Sequence, residues 1–293
     1  MENVKLFCDN CPRKCKCDKI SSLGFCGVTD NINIAKVMLH FWEEPCISGK
    51  NGSGAIFFSG CNLKCVFCQN YEISNTVNGK NCSVTDLINI FKELENMDAE
   101  NINLVTPTPY ADKIISALKI YKPKIPVVYN CSGYEDVNTV IKLKGLVDIF
   151  LVDCKYFDNS IAIKYSNAYN YFTNFQAVIK EMKKQQPLLK YNNNGLLLNG
   201  VIIRHLVLPS HTSDSIEIAK WLNCNIDNNT IISLMSQFTP CHKADAFSEI
   251  NRTLKPLEYT RVVNFYKHNT KFSKIYIQEL ESASEKFIPD FKC

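Results

Sequence analysis

Ala55-Ile56-Phe57-Phe58-Ser59-Gly60-Cys61-Asn62-Leu63-Lys64-Cys65-Val66-Phe67-Cys68 is the stretch on which the fold turns. Its opening residues, Ala55 to Phe58, are wholly apolar and read as a buried strand. A Cys-x3-Cys-x2-Cys cluster follows directly. Three thiolates this close can wrap one corner of a cubane iron–sulfur cluster; four irons want four ligands, and the chain offers three. The remaining iron has an open position, which is where a metal centre takes a substrate. Zinc is the competing reading, although its sites usually pair C-x2-C units with a fourth Cys or His.

Working outward, apolar runs alternate with amphipathic ones. Strands are expected at 102–105, 126–129, 147–152, 201–208, 231–235 and 275–278. Helices are expected at 83–96, 111–118, 136–143, 172–184, 213–222 and 257–268. Ser83 with Asp86 gives the first helix a capping start. Residues 188–199 read as a polar, Asn-rich loop or a register break. Strand then helix, repeated about six times, argues for parallel strands joined by crossovers. The runs are nearly all apolar rather than alternating, as for strands covered on both faces. The expected fold is α/β, a partial (β/α)6 TIM-like barrel with a Cys-rich N-terminal extension. Residues 1–54 would be the extension and connector, and 55–293 the barrel. Working residues in such folds lie at the C-terminal ends of strands, which marks Cys61, Thr106, Asn130, Asp153, Arg204 and Gln237.

The bulk properties limit the partners. The 293 residues carry a net charge of +4, too mild for a nucleic-acid or membrane surface. No apolar run reaches the roughly 18 to 20 residues of a membrane span. The start, Met1 to Phe7, does not read as a secretory signal. The expectation is a cytoplasmic protein, where disulfides are rare. Nine of the 15 cysteines fall in the first 68 residues, a distribution that suits metal better than bridges.

Cys61, Cys65 and Cys68, with aromatic Phe67 before the last, resemble the signature of the radical SAM superfamily. The resemblance implies a [4Fe–4S] cluster whose fourth iron binds S-adenosylmethionine. One electron would then cleave the cofactor to a 5′-deoxyadenosyl radical that abstracts hydrogen. It also implies an electron donor of the flavodoxin or ferredoxin type. The segments His40 to Ser74, Leu104 to Tyr110, Val128 to Glu135, Ile203 to Pro209 and Ser233 to Pro240 resemble uncharacterised homologues of the pyruvate formate-lyase activating enzyme. By that resemblance Phe67 packs by the adenine, and Asp153 and Lys155 contact the ribose and methionine parts. Arg204, a costly residue in an apolar strand, should point at an anion, either the cofactor or Asp153. His205 would face the other way. The activating enzymes carry Gly-Gly-Glu after the second strand, where this chain has Thr106-Pro107-Thr108-Pro109. Thr106 and Thr108 are therefore candidate acceptors for the cofactor's ammonium, with Asn130 and Ser132 as partners on the same face. The activity implied is that of an activating-enzyme-like oxidoreductase that makes a glycyl radical on a partner protein. The alternative is radical modification of a small molecule or peptide.

Cys8, Cys11, Cys15 and Cys26 form a second candidate metal site, with Cys17 as an extra thiol. Zinc would fold a segment too small for a core; a second iron–sulfur cluster would relay electrons. A rival of another class, a non-catalytic iron–sulfur carrier or zinc-stabilised binding module, explains the cysteines. It leaves Asp153, Lys155 and Arg204 at the strand ends unexplained.

Overall fold

Strands that are apolar on both faces need cover on both faces, and in this chain the period of two sorts that cover. The computed structural model describes residues 7–280 and 291. The Met1–Phe7 start, apart from Phe7, lies outside them. Ten strands form one sheet: β1 (Ile32–His40), β2 (Ser53–Phe58), β3 (Lys80–Cys82), β4 (Ile102–Val105), β5 (Val127–Cys131), β6 (Ile149–Asp153), β7 (Lys190–Tyr191), β8 (Leu197–Leu206), β9 (Ile231–Met235) and β10 (Ile275–Ile277). Their order is β10-β9-β8-β6-β5-β4-β2-β1-β3, with β7 paired to β8. From β2 to β10 every neighbour is parallel. β1 is antiparallel to β2 and β3. The path does not close on itself, so the barrel is open, as expected of a partial one.

Ile56, Phe58, Leu104, Tyr129, Phe150, Val152 and Ile203 turn outward into the main core, shared with helix residues such as Phe91, Ile114, Phe175 and Ile218. On the opposite, inner face Val128, Ile149, Leu151, Ile202 and Ile231 pack with Cys46 and Ile47. One pleat further along the same face stand Asn130, Asp153 and Arg204. The interior is thus apolar at its base and polar at the strand ends.

The expected helices form within a few residues of their predicted bounds. Ser83 and Asp86 make the capping box: Asp86 N donates to Ser83 Oγ at 3.1 Å and Ser83 N to Asp86 Oδ2 at 2.8 Å. Several elements depart from expectation, the short β3 among them. The stretch 31–54, read as a connector, contains β1, and the expected boundary after residue 54 falls inside β2. β1 is buried only over Ile32, Asn33 and Ile34, so it shows no continuous apolar run. Helix Asn159–Ser166 was not expected; it buries only Ala162, Tyr165 and Ser166, too few for a readable stripe. The Asn-rich stretch makes the β7–β8 hairpin. There Asn192 Oδ1 accepts from the backbone N–H groups of Asn194 and Leu196, both at 2.9 Å, mimicking a backbone turn.

Candidate active site

The loop after β2 hangs its three cysteines over the strand ends. Gly60 N donates to Ile73 O at 2.7 Å and Val66 N to Tyr165 O at 2.9 Å, so the loop is pinned at both sides. Cys61, Cys65 and Cys68 all line one cavity, together with Phe67, Thr106, Asn130, Ser132, Asp153, Lys155 and Arg204. Of the residues singled out for a cofactor, only Thr108 is not brought there. Its hydroxyl donates to Glu135 Oε1 at 2.8 Å, and it borders the amino-terminal cysteines instead.

Cys65 is buried, and Cys61 and Cys68 are half-buried. Burial, then the neighbouring Cys65 and Cys61, pushes the Cys68 thiol up to about 12; burial and Cys65 raise Cys61. Ionising several such thiols together requires a strongly cationic body among them. Among the described residues no three His, Cys, Asp or Glu side chains are grouped to hold a single metal ion.

The opposite wall is an ion network. Arg204 Nε donates to Asp153 Oδ1 at 2.8 Å, one terminal nitrogen to Glu43 Oε1 at 2.7 Å and the other to Asn130 Oδ1 at 2.7 Å. Lys155 Nζ lies 2.7 Å from Asp153 Oδ2. Burial alone would push the Asp153 carboxyl up, but Arg204 and Lys155 outweigh it and hold the group below its ordinary value. Arg204 thus meets Asp153, one of its two expected partners. His205, on the alternate face, is buried between Cys154 O at 2.7 Å and Ser215 Oγ at 2.8 Å; burial lowers its pKa to about 4.

Three features are ligand-like. Ser132 Oγ and Thr239 Oγ1 are buried without a hydrogen-bond partner, and both residues line the cavity. Buried polar atoms are nearly always satisfied, so two orphans in one cavity suit a polar ligand. Thr106 has φ of +60°, in the left-handed region that β-branched residues avoid, a strain typical of working sites. Phe67 packs edge-on against Phe238 with centroids 5.5 Å apart, giving an apolar slot beside the cysteines. These residues fit a cluster with an amino-acid-bearing nucleoside.

Sequence reading missed Thr239 and Phe238, whereas the adjacent carboxylates Glu43 and Glu44 before Pro45 read as candidates for the cavity mouth, and Glu43 lines it. Glu43 reaches across the sheet to Asn103 at 2.7 Å, Asn130 at 3.1 Å and Arg204. Glu44 is buried behind it, and burial pushes its carboxyl up to about 7.

The amino-terminal cysteines Cys8, Cys11, Cys15, Cys17 and Cys26 surround a second, smaller cavity. Cys17, the expected extra, is buried while Cys15 is exposed. Lys14, Lys16 and Lys19 all have positive φ, so the backbone doubles back around the thiols. A Cβ on Gly24 would stand 3.1 Å from the sulfurs of both Cys15 and Cys17. Arg13 joins the two cysteine groups: Nε donates to Asn62 O at 2.6 Å and a terminal nitrogen to Ser166 O at 3.2 Å, over the Phe25 ring at 3.5 Å.

The profile of the Radical SAM superfamily matches residues 55–222. An uncharacterized protein of Methanocaldococcus jannaschii is 32% identical over 263 residues, spanning 86% of this chain and 72% of the relative. A radical SAM methyltransferase from Sphaerobacter thermophilus superposes with a TM-score of 0.52 at 11% identity, covering 79% of this chain and 69% of that one. Streptococcus suis SuiB bound to S-adenosylmethionine gives 0.50 at 15% identity, covering 76% of this chain and 49% of that one. At these identities the two superpositions show the fold alone. Among the described residues no helix is long and apolar enough to cross a membrane.

Proposed function

The chain belongs to the radical SAM superfamily, and on that premise we propose that it is an enzyme that abstracts hydrogen from a substrate seated at the cavity mouth. What carries the reading is one cavity lined by three thiols together with Asp153, Lys155 and two orphaned hydroxyls. Cys61, Cys65 and Cys68 would hold a [4Fe–4S] cluster. When bound, that cluster and S-adenosylmethionine supply a one-electron cleavage yielding a 5′-deoxyadenosyl radical. Lys155 neutralises the methionine carboxylate, and Asp153 accepts from the ribose hydroxyls with its remaining lone pairs. Ser132, Thr106 and Thr239 offer hydroxyls to the ammonium, and Phe67 with Phe238 flanks the adenine. Three nitrogens of Arg204 are engaged by protein groups, so its main work is to hold Asp153 and Asn130 in place.

The substrate we favour is a protein, as for an activating enzyme acting on a glycyl-radical partner. Trp42 lines the cavity yet is 69% exposed, and Phe41 beside it is also exposed. Paired exposed aromatics at a rim are typical anchors for a protein partner. The electron would come from a flavodoxin- or ferredoxin-type donor in a cytoplasmic setting, in keeping with free thiols at both cysteine groups. The amino-terminal thiols would hold a second metal centre. That centre would be either zinc, folding a segment too small for a core, or a second iron–sulfur cluster relaying electrons.

The test is anaerobic. Protein reconstituted with iron and sulfide, then reduced, should release 5′-deoxyadenosine from S-adenosylmethionine, and Cys65→Ala should release none above background. A reducible cluster in the wild type without that product would leave a non-catalytic electron carrier as the better reading.

A further inference from the structure

The three cluster-loop sulfurs do not have equal surroundings. Ser166 Oγ donates to Cys65 Sγ at 3.0 Å, whereas Cys68 Sγ meets Ser74 Oγ at 3.4 Å and Cys61 Sγ meets the Leu63 N–H at 3.4 Å. Behind Ser166 stands Tyr156, its hydroxyl 2.6 Å from Ser166 Oγ. With the serine proton on the sulfur, the phenol proton goes to the serine oxygen, so the two hydroxyls form a directed chain ending on Cys65. Both residues are buried, Ser166 at 1% exposure and Tyr156 at zero, so water does not compete for either hydroxyl.

The surrounding backbone fixes this chain of hydroxyls. Ser166 ends the helix Asn159–Ser166, and Asn167 in the left-handed conformation stops it there. Its carbonyl accepts from Arg13, and the preceding carbonyl, of Tyr165, accepts from Val66 N, next to Cys65. Tyr156 follows Lys155, just after β6. Elements from three parts of the chain thus converge on one sulfur.

We propose that Tyr156 and Ser166 are positioning residues that set the reduction potential of the cluster held by Cys61, Cys65 and Cys68. The inference rests on the radical SAM reading. A proton donor on a ligand sulfur stabilises the more negative, reduced form of a cluster and so raises its potential. In a buried site that effect is strengthened, because the low local dielectric leaves the hydrogen bond unscreened and chained hydroxyls polarise one another. The chain makes the cluster easier to reduce by the cell's donor.

The experiment is a redox titration, followed by electron paramagnetic resonance of the reduced cluster, on reconstituted wild type, Ser166→Ala and Tyr156→Phe. Ser166→Ala should move the midpoint to a more negative value at unchanged iron content. Tyr156→Phe, which leaves the serine hydroxyl in place, should move it less and in the same direction. Should Ser166→Ala fail to hold a cluster, the Tyr156→Phe midpoint decides alone. Midpoints equal to wild type, or shifted positive, overturn the proposal while leaving the radical SAM reading standing. A wild type that takes up no [4Fe–4S] cluster overturns both.

Discussion

The two cysteine groups are joined through Arg13 and Asn62, yet they are held in opposite ways. The triplet hangs from β2 and is tied by backbone bonds from Gly60 to Ile73 and from Val66 to Tyr165. Its side chains face a wall built by β5, β6 and β8. The five amino-terminal thiols sit in 7–31, which contains neither helix nor strand. Within that segment the bonds are those of turns, Cys8 N to Cys17 O at 2.8 Å and Gly27 N to Gly24 O at 2.9 Å, with the Asp18 carboxylate capping Ile20, Ser21 and Ser22, and single side chains, Arg13, Asn10 and Lys19, tie it to the barrel. The difference teaches where each geometry comes from. The sheet prearranges the triplet before any metal arrives, whereas we propose that the extension takes its final order from a metal held by its thiols.

If the sheet builds the active-site wall in advance, the largest effect comes from removing its central cation. Arg204→Ala leaves Asp153 and Glu43 buried without their main partner. Breaking a buried pair this way costs about 3–5 kcal/mol, measurable by urea unfolding of the apoprotein under anaerobic conditions. Arg204→Lys keeps the charge but not the three-way fork and should recover only part. A cost for Arg204→Ala no larger than that of an exposed residue would mean that the wall is not prebuilt.

The other half of the comparison is tested at the extension. Cys8→Ser with Cys11→Ser should remove the second metal while leaving the absorption of the triplet's cluster in place. Iron and zinc quantitation on the wild type and the double variant reads this directly. Unchanged content of both metals would strip the extension of its metal, and loss of the triplet's cluster as well would show the two groups to be one folding unit.

The same contrast explains what could be read in the sequence. Strand ends were legible because the apolar runs of β2, β5, β6 and β8 are unbroken up to Cys61, Asn130, Asp153 and Arg204. Arg204 was legible for its cost: a guanidinium in a buried strand needs an anion, and Asp153 supplies it. β1 and the helix Asn159–Ser166 escaped because each buries only three residues on the structured side, too few to set a period. Tyr156 escaped for another reason: its role depends on a contact across 10 positions, to Ser166, which no local pattern encodes. Thr108 shows the reverse error: being next but one to a strand end does not fix direction, and a short 3-10 turn, Thr108–Tyr110, aims its hydroxyl at Glu135 rather than into the cavity.

Glu135 stands between the two regions, and its titration offers the smallest and sharpest test. Its carboxylate accepts from Thr108, which borders the amino-terminal thiols, and from Tyr129 Oη at 3.3 Å; Cys131, a cavity residue, also hydrogen-bonds it. Cys11 lies near enough to be felt electrostatically. Burial pushes the carboxyl up to about 7, and the hydrogen bonds offset this only in part. An acid whose pKa rises on folding contributes stability that is fully present below its unfolded value and lost as pH climbs through the folded one. The wild type should therefore lose stability between pH 5 and about 7.5, by on the order of 2–3 kcal/mol from this group. Glu135→Gln stays neutral throughout and should show a shallower slope. Glu44, also pushed up to about 7 by burial, adds the same slope to both proteins, so the difference between the two curves isolates Glu135. Coincident slopes would mean that folding does not raise the Glu135 pKa.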